Sequence, residues 1–270
     1  MTNAFQWIQA AGVAALLRPG EGGTIVIVPG AMADAEGWLP CARALRTPLS
    51  VAIMNRRGRA PSDGLPPGST VEDEVDDVRA LLSRLQAPFI LMGWSYGGLL
   101  AMEAAIGLAE IASIILYEPV SRPFVPSSIE PIRRSVEAGN LDQAVAEIIT
   151  RVGGASDDQV AALQDTPAWA YLKPLAIPAA TELSALNRYD PHFTAYAAIE
   201  APITVLVGSE NQNREPYTTA ANRFLDALPL AARVTLNGQG HLAHVEAPTQ
   251  LAGSMPSCTN RRSTIDLSSQ

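Results

Sequence analysis

The sequence predicts an α/β fold with a mostly parallel central sheet and helices on both faces. Two observations carry that expectation. Short unbroken apolar runs recur along the chain, as at 24–28 (TIVIV), 88–92 (PFILM) and 203–207 (ITVLV). Segments of helical periodicity separate most of them. A strand covered on both faces needs an apolar side chain at every position, so continuous runs point to a buried parallel sheet.

A chain of 270 residues with 47% apolar side chains can bury one large core, with room for a small insertion. The net charge is -8 and the sequence holds no Lys/Arg stripe, so no nucleic-acid partner is expected. The densest basic group, Arg56, Arg57 and Arg59, is too short to track a phosphate backbone. It reads as a solvated loop or as a contact for a substrate carboxylate. Cys41 and Cys258 lie far apart, with no disulfide framework. No dinucleotide glycine pattern and no His/Asp cluster with ligand spacing occurs, so neither cofactor nor metal is expected. No apolar stretch reaches the ~20 residues of a membrane span. No basic region precedes an apolar run at the N-terminus. A cytoplasmic protein acting on a small molecule is the resulting expectation; the oligomeric state is not legible.

Residues 5–18 read as an edge hairpin with Gly12 near its turn. Strands follow at 24–28, 51–54, 88–92, 113–117, 203–207 and 233–236, with helices at 38–46, 217–228 and from Ser95 to about Ala109. A further helix opens at Thr70, whose side chain can cap it with Asp73 three positions on. Its Val71, Val75, Val78, Leu82 and Leu85 recur at helical spacing and should face the sheet. Residues 120–198 hold no strand run but have helical patterns at 128–138, 141–151, 158–164 and 178–187. They read as a helical lid inserted into a core of residues 1–119 and 199–253. Ligands of open α/β sheets bind at the carboxyl ends of strands, where such a lid would sit. From about Ser254 apolar periodicity is lost, and a mobile tail over 254–270 is expected.

The chemistry concentrates in Gly93-Trp94-Ser95-Tyr96-Gly97-Gly98, with a strand before it and an apolar helix after it. That context is what a nucleophile elbow requires: a tight turn presents the serine hydroxyl above the sheet. Gly and Ser are common enough for the bare motif to be weak; the strand–turn–helix context makes it specific. The Tyr96 N–H then points toward a developing oxyanion at the helix start. A serine hydroxyl needs a base. Of His192, His241 and His244, His241 is the first choice, because it follows the strand at 233–236 in a loop (NGQGH). His244 is the second choice as base, or else a helix residue making a local hydrogen bond, and His192 reads as a residue ordering its loop or as a contact with the substrate pocket. The second oxyanion donor is expected after the first strong strand, in Pro29-Gly30-Ala31-Met32, with Ala31 preferred over Met32. Met32, Trp94, Phe124 and Trp169 are candidates for the substrate pocket, with Tyr171 and Leu172 beside them on the lid.

Through VPG at 28–30, NRRG at 55–58, GWSYGG at 93–98 and GQGH at 238–241, the chain resembles the α/β-hydrolase superfamily, in particular its small serine esterase and haloperoxidase-like members. The resemblance covers roughly residues 20–252. It implies Ser95 as nucleophile, His241 as base and Ala31 as oxyanion donor. Two departures stand out. Pro29 replaces a histidine that commonly braces the oxyanion loop. Asn211 stands where the family's acid usually follows the strand at 203–207, and Asn cannot carry the charge that stabilises imidazolium. Some relatives place the acid one strand earlier, which maps to Glu118 in LYEP. Glu118 is therefore the preferred acid, and Glu210 the alternative. The implied activity is hydrolysis of a small or medium carboxylic ester through an acyl-enzyme. The same apparatus also serves C–C bond hydrolases, lactonases and lyases, and a non-catalytic ligand-binding member is the remaining alternative.

Overall fold

The computed structural model describes residues 4–255. Its strands are β1 (Gln6–Ala10), β2 (Val13–Arg18), β3 (Thr24–Val28), β4 (Ser50–Asn55), β5 (Phe89–Trp94), β6 (Ile111–Tyr117), β7 (Ile203–Gly208) and β8 (Ala232–Leu236). They form one sheet in the order β1-β2-β4-β3-β5-β6-β7-β8. The hairpin β1–β2 and the pair β2–β4 are antiparallel, and every other pair is parallel. The hairpin turns at Ala11-Gly12, both with positive φ (48° and 90°), a geometry whose twist suits a two-residue connection.

The apolar runs divide their side chains between two cores. Val26, Val28 and Leu91 face one side, while Ile25, Ile27, Ile90 and Met92 face the other. Helix α1 (Leu39–Ala44) covers the second face. On the first face lie α2 (Val71–Leu82) and α3 (Tyr96–Ala105). The start of α2 carries the expected capping box: Asp73 N–H donates to Thr70 Oγ1 at 3.2 Å, and Thr70 N–H to Asp73 Oδ2 at 2.8 Å. Val71, Val75, Val78 and Leu82 are buried, as their spacing predicts, and Leu85 is half-buried beyond the helix end.

Between β6 and β7 the chain forms five α-helices: α4 (Ile129–Glu137), α5 (Leu141–Arg151), α6 (Asp157–Gln164), α7 (Pro167–Ala176) and α8 (Ala179–Arg188). Four match the expected patterns. Helix α7 does not, because Pro167 and Pro174 mask its periodicity. Pro167 sits in the first turn, where its missing N–H costs nothing, and Pro174 lies near the end. The helices α9 (Tyr217–Ala227), α10 (Ala243–Glu246) and α11 (Pro248–Gly253) complete the fold. The tail expected to be mobile over 254–270 falls, beyond Met255, outside the described residues.

Helix α10 brings His244 into the second core. Its ring stacks on Trp38 at 4.6 Å and 8° and tilts against Trp94 at 4.3 Å. Among the described residues its Nδ1 is buried without a hydrogen-bond partner, so the local hydrogen bond its helical position suggests is not formed there. Burial, with His241 adding to it, pushes the His244 imidazole down from 6.5 to about 3. Between those values the unfolded chain binds a proton that the folded chain refuses. Stability therefore rises with pH through this window and is lost as pH falls, by up to ~1.4 kcal/mol per unit from this residue. Urea unfolding of His244→Phe and wild type between about pH 6.5 and pH 4.5 checks this. The variant's stability should depend less steeply on pH, and equal slopes would contradict a neutral, desolvated His244.

Candidate active site

Ser95 stands at the junction of β5 and α3 with φ 53° and ψ -123°, a conformation an L residue rarely adopts. The surroundings impose it. The Ser95 N–H donates to Tyr117 O at 3.0 Å, and its carbonyl accepts from Gly98 N at 2.9 Å and Val120 N at 3.2 Å. The turn closes because Gly97 has no side chain: a Cβ there would lie 2.1 Å from Val28 O. The strand before and the helix after are thus locked together, and the helix N-terminus opens at the serine.

His241 lies in the loop between β8 and α10. Trp94 Nε1 donates to its carbonyl at 2.9 Å, and the Tyr117 hydroxyl donates to Gly240 O. Two residues of β5 and β6 therefore hold the loop against the strand ends. His241 Nδ1 meets Glu118 Oε2 at 2.6 Å, which leaves Nε2 as the ring nitrogen available to a hydroxyl. Glu118 follows β6 directly, is 1% exposed and has φ 42°. Its carboxylate is well held. Oε1 accepts from Gly208 N at 2.9 Å, and Oε2 accepts from Asn211 Nδ2 at 2.8 Å. Asn211, at the position where the family's acid usually follows the later strand, donates a hydrogen bond to the carboxylate of Glu118. Glu210 is exposed, and its N–H donates to Gln239 O at 3.1 Å. Among the described residues, no hydrogen bond joins its carboxylate to His241.

Ser95, Tyr96, Ala31 and His241 all line one cavity of about 420 Å³. Its wall is largely apolar. Met32, Trp94 and Phe124 line it as expected, and the helices between β6 and β7 add Ile148, Val152, Leu172 and Leu183. Trp169 does not line it. It is buried, and its Nε1 donates to Asp142 Oδ1 at 2.6 Å, so the ring serves the packing of α7 on α5. Tyr217, which sequence reasoning passed over, both lines the cavity and packs its ring 4.4 Å from that of His241. A tyrosine at the start of a helix carries no signal of such a role.

The basic group at 56–59 is neither solvated nor free for a substrate. Arg56 and Arg59 are 1% and 3% exposed, paired with Glu74 and Glu182. Arg57 pairs with Asp77 at 2.7 Å. Their partners lie on α2 and α8, too distant in sequence for local spacing to reveal. His192 orders its loop, as expected: its Nδ1 lies 2.8 Å from Glu103 Oε2 and its N–H donates to Glu103 Oε1 at 3.0 Å. Among the described residues, no group of three or more His, Cys, Asp or Glu side chains could hold a metal, and no helix is long and apolar enough to cross a membrane.

Solved structures share this architecture. An alpha/beta hydrolase from Sphaerobacter thermophilus is 26% identical, with TM-score 0.75 over 92% of this chain and 97% of that one. The enol-lactonase from Burkholderia xenovorans superposes with TM-score 0.73 over 92% of this chain and 97% of that one, at 19% identity. In sequence, the polyketide synthase ThaQ of Burkholderia thailandensis is 27% identical over 255 residues. The match spans 87% of this chain but only 12% of that much longer protein. Residues 25–254 match the model of the alpha/beta hydrolase family. The chain belongs to the alpha/beta hydrolase family.

Proposed function

We propose that this hydrolase is serine-dependent and cleaves an apolar acyl ester of small or medium size through an acyl-enzyme at Ser95. The observation that carries the reading is the convergence of three features on one apolar cavity. These are the strained serine, the histidine held by a buried carboxylate, and two backbone N–H groups, of Ala31 and Tyr96, at the same strand ends.

The residues then divide the chemistry as follows. Ser95 Oγ attacks the ester carbonyl as its proton passes to His241 Nε2. The carbonyl oxygen becomes an oxyanion, met by the N–H groups of Ala31 and Tyr96. Collapse of this intermediate breaks the C–O bond, and the imidazolium returns the proton to the departing alkoxide. A water molecule, losing its proton to His241, attacks the acyl-enzyme, and the acid leaves as Ser95 recovers its proton. Glu118 fixes the imidazole tautomer and stabilises the imidazolium without becoming protonated itself. The hydrogen bonds from Gly208 and Asn211 hold the carboxylate in place against His241. The helices over 120–198 act as the lid and wall of the acyl site.

A second reading keeps the machinery and changes the leaving group to a thiol. The likeness to a segment of a protein named a polyketide synthase is what favours it. The catalytic steps are the same, with a thiolate leaving in place of an alkoxide.

The acid assignment makes a sharp expectation. Glu118→Gln should lower kcat/KM by about 10³- to 10⁴-fold, and Glu210→Gln should leave it within about 3-fold of wild type. Circular dichroism must show both variants folded. The opposite ranking would move the acid to Glu210. The apolar wall makes another. Across p-nitrophenyl esters from acetyl to octanoyl, kcat/KM should climb by up to about 4-fold per added methylene, the value of burying ~0.8 kcal/mol of CH₂. A charged succinyl ester should be a poor substrate. Preference for acetyl, or for the charged acyl group, would mean that the acyl chain does not occupy this cavity. Parallel assays on an acyl ester and the matching acyl thioester separate the two readings by which leaving group gives the higher kcat/KM.

A further inference from the structure

A buried ionic cluster lies behind the oxyanion loop. The Arg56 guanidinium meets Glu74 Oε2 at 2.5 Å and Glu182 Oε1 at 2.8 Å, and its Nη2 donates to Gly30 O at 2.8 Å. Arg59 pairs with Glu182 at 2.6 Å and donates from Nε to Ala33 O at 2.7 Å. The Tyr96 hydroxyl donates to Glu74 Oε1 at 2.9 Å, and the Arg56 guanidinium carbon lies 5.0 Å from the Tyr96 ring centre. All four charged residues are at most 3% exposed, two positive and two negative. The two cations hold carbonyls on either side of Ala31 and Met32, and one of the anions holds the side chain of Tyr96.

One bond in this cluster has a direct stereochemical consequence. The carbonyl of Gly30 and the N–H of Ala31 belong to the same peptide unit, which is trans. In a trans peptide the two groups lie in one plane and point in opposite directions. A guanidinium fixed on the Gly30 oxygen therefore fixes the direction of the Ala31 N–H on the other side. The positive charge also draws electron density toward that oxygen, which strengthens the N–H as a donor. Pro29, just before this unit, has no polar side chain that could do either.

We propose that Arg56 is a positioning residue of the oxyanion hole, aiming and polarising the Ala31 N–H through the Gly30–Ala31 peptide. The proposal rests on the reading that Ser95 is the nucleophile and that Ala31 N–H meets the oxyanion. Arg56 touches no reacting atom. Glu74 and Glu182 balance its charge and hold it in place, and Glu74 ties the second donor, Tyr96, to the same frame. Glu182, on α8, couples the helices over the cavity to the oxyanion loop.

The test uses the whole chain with a p-nitrophenyl acyl ester and an aryl trifluoromethyl ketone. The ketone's adduct with serine places an oxyanion in the hole, whereas KM reports chiefly the acyl chain. Removing Arg56 alone leaves buried carboxylates unpaired. The first variant is therefore the charge-balanced Arg56→Gln/Glu74→Gln, and the second is Arg56→Lys, which keeps the cation but not the fork that reaches three acceptors. Tyr196→Phe is the control: it removes a buried Tyr–Glu hydrogen bond to Glu103 of the same helix α3, away from the cavity. In the double variant kcat should fall by about 10- to 100-fold, below the loss seen when a donor is removed outright. KM should stay within about 3-fold, and the ketone Ki should rise in step with the fall in kcat. Arg56→Lys should show the same split at smaller size, and Tyr196→Phe none. Thermal melts establish which proteins are folded, and Arg56→Lys carries the test if the double variant is not. Unchanged kcat and ketone Ki in a folded Arg56 variant would overturn the proposal alone. Full turnover by Ser95→Ala would overturn it together with the active-site reading on which it rests.

Discussion

The constraint on which the site depends is the backbone of Ser95. At φ 53° and ψ -123° it occupies a region that costs on the order of 1–3 kcal/mol for a residue with a side chain. The sheet and helix on either side over-determine that geometry. Gly97 packs against the Val28 carbonyl, and the Ser95 amide and carbonyl are both taken up by backbone partners from β6 and its following loop. The strain sits where it serves the hydroxyl, which is turned away from the sheet and into the cavity instead of lying along a relaxed strand or helix.

Everything else at the site is referred to the strand ends this turn defines. Trp94, one residue before the serine, holds the His241 loop through its indole N–H, while Tyr117, which receives the serine amide on its carbonyl, holds the same loop through its hydroxyl. Glu118 is the next residue along that strand. Ser95, His241 and Glu118 are thus placed by residues at the ends of two neighbouring parallel strands, β5 and β6. The register that pairs Trp94 with Tyr117 sets their separation. The carboxylate that meets His241 follows β6, beside the serine turn, and neutral donors come from Gly208 at the end of β7 and from Asn211 in the turn after it.

Much of this was legible in the sequence. The unbroken runs such as TIVIV and ITVLV announced a two-sided sheet, because alternate residues had to serve two cores, and they do. The elbow was legible because Gly, Ser and Gly at fixed spacing between a strand and a helix satisfy a close-packing requirement that few other sequences meet. The contact of Glu118 with His241 was reachable because Asn211 cannot ionise, which turned attention to the strand before it. What escaped was long-range and side-chain-specific. Arg56 and Arg59 looked like solvent-facing charges because their partners, Glu74 and Glu182, lie on separate helices. Trp169 looked like a pocket residue because a large apolar ring on the lid fits two roles equally well, and only its bond to Asp142 decides between them. Helix α7 was hidden by its two prolines, one in the first turn and one near the end.

The central claim is that Ser95 is the single nucleophile of this chain, activated by His241. Labelling with a fluorophosphonate, followed by peptide mass mapping, tests it most directly because it requires no knowledge of the substrate. The account predicts one adduct per chain, on the peptide that contains Ser95, abolished in His241→Ala and retained in Tyr196→Phe. Stoichiometric labelling of another residue, or ester turnover by a protein in which Ser95 stays unmodified, would contradict it.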